Sequence, residues 1–128
     1  MTLLWIALGR ALGGVARYGC VTAVELRFDG GFPWGTLTVN VLGSAVIGLL
    51  TAATAAGTRW DMGDGAREFL LIGVLGGFTT FSAFSLQSLA LIRDGVWLPA
   101  AAYVLGSMVL CLAGVAGGYA LGNWLVAS

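Results

Sequence analysis

Two arginines, Arg10 and Arg17, stand seven residues apart inside an apolar N-terminal stretch, with Gly13 and Gly14 between them. Seven residues is two helical turns, so both guanidinium groups share one face. Arg10 is placed to snorkel toward an interface. Arg17 is deeper and stays protonated, so it must meet water, an anion or a carboxylate. No Asp or Glu lies well inside any apolar stretch, and the nearest, Glu25, sits at the end of one. The interior charge is therefore of one sign, which tilts any transport chemistry toward anions.

Three further sets of polar residues interrupt the apolar runs. Thr36, Asn40 and Ser44 recur every four residues, and so do Tyr103, Ser107 and Cys111. Each set stacks on one helix face. Such stripes either glue helices together or line a wet path with donors. Asn40 is the strongest single candidate, because a membrane-embedded amide must find a partner or a ligand. In the third set, Phe81 and Phe84 are three apart, as are Ser82 and Ser85, just after Gly76-Gly77-Phe78-Thr79-Thr80. Ring edges carry partial positive charge, so paired phenylalanines beside hydroxyl donors could contact an anion; by base rate they are core or lipid-facing. The glycine pair marks either close packing, slightly favoured by spacing since Gly73 and Gly77 form a small-xxx-small pair, or a helix break that frees carbonyls for an ion. Cys20 and Cys111 show no metal or disulfide spacing and read as small buried hydrophobes.

The elements that must position these residues are transmembrane helices. The chain has 128 residues, of which 59% are hydrophobic and 9% charged, with no His, and its mean hydropathy is +0.94. A water-soluble domain carries about 25% charged residues. A membrane-crossing helix needs about 20 mostly apolar residues, and four stretches qualify: about 3–24, 34–56, 69–92 and 96–126. Continuous apolar runs without alternation select helices over a barrel. The links are short and hold no soluble domain, so the expectation is one transmembrane domain over residues 1–128. No basic region precedes the first apolar run, which is read as a retained span in place of a cleaved leader.

With alternating helices, Arg59 and Arg67 flank one side of the membrane and Arg27 and Arg93 the other. That tie gives no preferred orientation and raises the hypothesis of dual topology, with the chain inserting both ways and pairing as an antiparallel homodimer. The ladders Gly9–Gly13 and Gly114–Gly118–Gly122 serve packing within a subunit or a dimer contact equally well. Enzyme chemistry finds no His, no intramembrane acid pair and no activated nucleophile, and a net charge of zero argues against nucleic acid. A dual-topology exporter of cationic drugs would need an intramembrane carboxylate. A membrane scaffold would explain the glycines but not three polar stripes and a deep arginine.

The segments Gly35-Thr36-Leu37-Thr38-Val39-Asn40 and Gly76-Gly77-Phe78-Thr79-Thr80-Phe81-Ser82-Ala83-Phe84-Ser85 closely resemble the signatures of the Fluc/CrcB fluoride channels, and the resemblance covers essentially the whole chain. It implies an all-α fold of four transmembrane helices with the third broken near its middle, assembled as an antiparallel dual-topology homodimer in the cell membrane. It implies passive fluoride export from the cytoplasm, lowering fluoride toxicity. By carry-over, Asn40 would donate to the anion at a pore entrance or wall, and Phe81 and Phe84 would turn ring edges toward it. Thr80, Ser82, Tyr103 and Ser107 would continue the donor track, with Arg17 near the vestibule. Backbone carbonyls of Gly76 and Thr79 from both subunits would hold a central structural sodium ion. Cys111 stands where the family often has Ser, and Ala83 where Thr is common.

Overall fold

A computed structural model describes residues 1–128, all helix and connecting turns, with no strand. Helix α1 spans Thr2–Glu25 and α2 spans Trp34–Ala53. The next stretch is composite: α3 is Gly63–Glu68, a π-helical segment runs Phe69–Leu75, α4 is Gly76–Phe78 and α5 is Phe81–Arg93. Helix α6 spans Trp97–Ala127.

Three stretches, Trp34–Ala53, Gly63–Arg93 and Trp97–Ala127, are long and apolar enough to cross a bilayer. Helix α1 has 24 residues, which reach about 36 Å, but Arg10 and Arg17 dilute its apolar character. The surface is that of a protein made for lipid. Leu3, Leu98, Leu12 and Leu105 stand well exposed, while the buried set is rich in small and polar residues such as Thr36, Ser88 and Ser107. The chain is a multi-pass membrane protein.

Glycine sets how closely the helices approach. A Cβ on Gly118 or Gly48 would run into the carbonyls of Ala45 and Val115 respectively, and one on Gly122 would sit 2.6 Å from the Leu49 carbonyl. These residues lock α2 against α6 backbone to backbone. A second seam joins α1 to the composite stretch: a Cβ on Gly9 would lie 2.7 Å from the Phe69 carbonyl, and one on Gly77 would lie 2.6 Å from the Arg10 carbonyl. Both ladders therefore serve contacts within one subunit.

Helix α2 ends at Ala53, short of the 56 to which its apolar run extends, because the chain turns into a self-bonded loop. Thr54 Oγ1 donates to the Leu50 carbonyl, and Thr58 Oγ1 to those of Ala53 and Ala55. Asp61 accepts from the backbone N–H groups of Gly57 and Gly63, at 3.1 and 3.0 Å. Those bonds, Gly63 first, hold its carboxyl below the usual carboxylate range. Arg59 stacks over Trp60 and donates to the Leu125 carbonyl, tying the loop to the end of α6.

Candidate functional site

The site begins where the composite stretch loses its helical winding. The glycine pair at 76–77 left packing, slightly favoured, and a break both open; Gly76–Phe78 is helical and the break falls on the next two residues. Thr79 (φ −86°, ψ 159°) and Thr80 (φ −152°, ψ 119°) are both extended. β-Branched residues favour that conformation. Thr80 then acts as the N-cap of α5, its side chain accepting from the Ala83 N–H at 3.2 Å.

Two side chains from other helices hold the break open. The Asn40 amide meets Thr80 twice: Nδ2 donates to the Thr80 carbonyl at 2.9 Å, and Oδ1 accepts from the Thr80 N–H at 2.8 Å. In a continuous helix that N–H would return to the Gly76 carbonyl; here it is taken, and no other donor reaches Gly76 O. From α1, Arg17 Nη1 donates to the Thr79 carbonyl at 3.1 Å. Gly43 makes this geometry reachable, because a Cβ there would collide with Thr79 Cγ2. The amide of Asn40 keeps one N–H uncommitted.

Two grooves open beside the break. The first, about 310 Å³, is lined by Asn40, Ser44, Thr79, Thr80, Phe81, Phe84, Ser107 and Cys111 among others. The second, about 600 Å³, carries Arg17, Thr36, Thr80, Ser82 and Gln87. Thr80 belongs to both. Ser107, beside the first groove, is 6% exposed, and its buried Oγ has no hydrogen-bond partner.

An aromatic series runs from the first groove into the core. Phe81 and Phe84 have ring centroids 5.3 Å apart, Phe84 and Tyr103 also 5.3 Å, and Tyr103 meets Phe32 edge-on at 5.5 Å. Phe81 heads the series, 78% exposed, whereas Tyr103 is fully buried. The Tyr103 hydroxyl donates to Gln87 Oε1 at 2.8 Å.

A family profile described as "CrcB-like protein, Camphor Resistance (CrcB)" matches residues 4–119. The chain belongs to the CrcB family. Its curated relatives carry the name "Fluoride-specific ion channel FluC". One from Opitutus terrae is 53% identical over 112 residues, covering 88% of this chain and 85% of the relative. One from Paramagnetospirillum magneticum is 47% identical over 115 residues, 90% of both chains. One from Paracoccus denitrificans is 48% identical over 126 residues, 98% of both. Membership places this multi-pass protein in the cell membrane.

For a CrcB family member, the residues singled out from the sequence fall into three places. Asn40, Thr80, Phe81, Phe84 and Ser107 share the first groove with Thr79. Arg17 and Ser82 line the second with Thr80. Tyr103 lines neither, lying in the core between Phe84 and Phe32. A Cβ on Gly76 would lie 3.6 Å from Arg10 Nη2. Ala83 lines the second groove. Two residues escaped the sequence reading. Gln87 sits seven residues beyond Thr80, and its intramembrane amide was the signal available. Gly43 carried no signal at all, because its importance depends on a threonine 36 positions later.

Proposed function

We propose that the chain is a passive fluoride channel, working as an antiparallel dual-topology homodimer of four-span subunits that releases fluoride from the cytoplasm. The observation that carries this reading is the Asn40–Thr80 clamp, which opens a helix at membrane depth between two largely apolar grooves that carry polar groups in their walls. It is supported by the relatives' printed name at up to 53% identity.

The chemistry fits a small, hard anion. Fluoride holds its water tightly, so a path must offer closely spaced donors and partial positive charge at several weak sites. The free Asn40 N–H, the unpartnered Ser107 hydroxyl and the Thr80 and Ser82 hydroxyls are such donors. Phe81 and Phe84 add ring edges, and Arg17 sets the sign of the field beside the second groove. Flux then needs no proton and no covalent step, in keeping with relatives named as channels. The exposed Phe81 is an end of the path that a second copy would complete.

A sodium ion fits between two such copies. Hard cations take oxygen ligands, and the Gly76 carbonyl is free of any helical partner. The Thr79 carbonyl carries one bond from Arg17 and retains a second lone pair. Two carbonyls from each subunit would hold the ion and brace the paired breaks.

The test is fluoride release from liposomes loaded with potassium fluoride and reconstituted with the purified protein, valinomycin carrying the counter-ion. Fast electrogenic release of fluoride with negligible chloride release is expected. No release from a folded, dimeric sample would overturn the reading.

A further inference from the structure

Arg10 is the one arginine left without a bond at membrane depth. Arg17, Arg59 and Arg67 each donate to a backbone carbonyl, Arg27 follows the end of α1 and Arg93 closes α5. Arg10 is exposed on α1, a helix with no acidic residue before Glu25, its last. Its backbone crosses the composite stretch at Gly77, where an added Cβ would lie 2.6 Å from the Arg10 carbonyl. That crossing is close to the middle of the 31-residue span Gly63–Arg93. Instead of reaching for an interface, the side chain stays at this level: a Cβ on Gly76 would lie 3.6 Å from Arg10 Nη2 and 3.9 Å from Cζ. The guanidinium, charged at any working pH, thus sits beside the residue whose carbonyl has no helical partner.

We infer that Arg10 sets how tightly the paired breaks hold sodium: its fixed charge beside Gly76 weakens the site, so the ion is bound only where sodium is plentiful. This rests on the sodium site and the paired copies proposed above. Like charges in a low-dielectric setting repel over several ångströms, and at membrane depth salt screens them little. An antiparallel pair brings two such guanidinium groups, one from each copy. The carbonyls attract the ion through their dipoles alone, with no carboxylate among them to offset the added charge. Bracing of the breaks by sodium therefore follows the sodium concentration and is not permanent.

The experiment titrates the purified protein in detergent with sodium chloride, replacing N-methyl-D-glucamine chloride at constant ionic strength. The unfolding midpoint is read at each point, and fluoride release from liposomes is measured for the same variants. Arg10→Gln and Arg10→Ala should reach half of their sodium-dependent stabilisation at a concentration about tenfold or more below wild type. Arg10→Lys, which keeps the charge, should stay near wild type, and so should Arg27→Gln outside the helix. A wild type that shows no sodium effect beside an Arg10→Gln that does is the same result at its extreme. An unchanged sodium curve in Arg10→Gln and Arg10→Ala overturns the role of Arg10 and leaves the sodium site standing. A midpoint indifferent to sodium in every variant overturns site and inference together. If the sodium curves shift as expected while no variant releases fluoride, the channel reading falls and the role of Arg10 stands.

Discussion

The α2–α6 seam and the junction around the broken helix are both close contacts at membrane depth, yet they are held by opposite means. At its closest approaches the seam is backbone against backbone. It rests on glycines that let Ala45, Leu49 and Val115 carbonyls come within reach of the facing helix. The junction is held by side chains gripping backbone: Asn40 on Thr80 and Arg17 on Thr79. Van der Waals contact suffices where both backbones are satisfied within their own helices. Where the chain leaves the helix, freed N–H and C=O groups need replacement partners, since lipid supplies none.

The comparison breaks most sharply at the seam. Gly118→Val would drive side-chain carbons into the Ala45 carbonyl, and overpacking against backbone should cost about 3 kcal/mol or more. Thermal unfolding in detergent should show a large drop in midpoint and a loss of monodisperse protein; a stable variant would mean that the seam can slide apart. At the junction the first loss should be function. Asn40→Asp puts a carboxylate oxygen against the Thr80 carbonyl where the amide donated. Fluoride release should disappear, with about 1–3 kcal/mol of destabilisation. Unchanged flux in that variant would remove Asn40 from the path.

A smaller effect is expected one atom further along. Thr80→Val keeps the shape and β-branching but removes the cap on the Ala83 N–H, a change worth about 1 kcal/mol. Thr80→Ser should restore most of both stability and flux. If valine matched threonine in both measurements, the hydroxyl would matter to neither the cap nor the groove. Phe81→Ile, and separately Phe84→Ile, should reduce fluoride release while the unfolding midpoint stays near wild type; full release in both would leave the rings as packing.

The smallest effect lies outside the membrane. The Asp61 carboxyl is held below the usual carboxylate range by the N–H groups of Gly63 and Gly57. A depressed value means that the bound carboxylate supports the loop above the ordinary carboxylate range and that this support fades as acid protonates it. Asp61→Asn should therefore lower the unfolding midpoint slightly at neutral pH, and the gap to wild type should close in strong acid. A gap that widened with acid would reverse that assignment.

The seam was legible in the sequence, and the junction only partly. Gly114, Gly118 and Gly122 announce a close-packed face by spacing alone, although spacing does not say whose helix they face; the packing partner is α2 of the same chain. The polar stripe of Thr36, Asn40 and Ser44 likewise marked its helix face. The break lies just past the glycines, whose spacing slightly favoured the packing role that Gly73 and Gly77 fill against α1. Gly77 is needed for the approach of α1, and Asn40, 40 residues away, captures Thr80 and opens the chain there. Gln87 was missed because its significance lies in the Tyr103 hydroxyl it receives from another helix. Pairings across helices are not a property of either segment by itself.

The bond from Arg17 to the Thr79 carbonyl also has a consequence for biogenesis. Placing an arginine at the centre of a lone membrane helix costs about 2.5–3.5 kcal/mol during insertion, and α1 carries two arginines along its length. The acceptor that satisfies Arg17 lies 62 residues downstream, on a segment synthesised only after α2 is complete. Helix α1 thus emerges from the ribosome as the least committed segment and gains its polar partner late. Its Arg17 side chain reaches that acceptor only once the broken helix lies beside it.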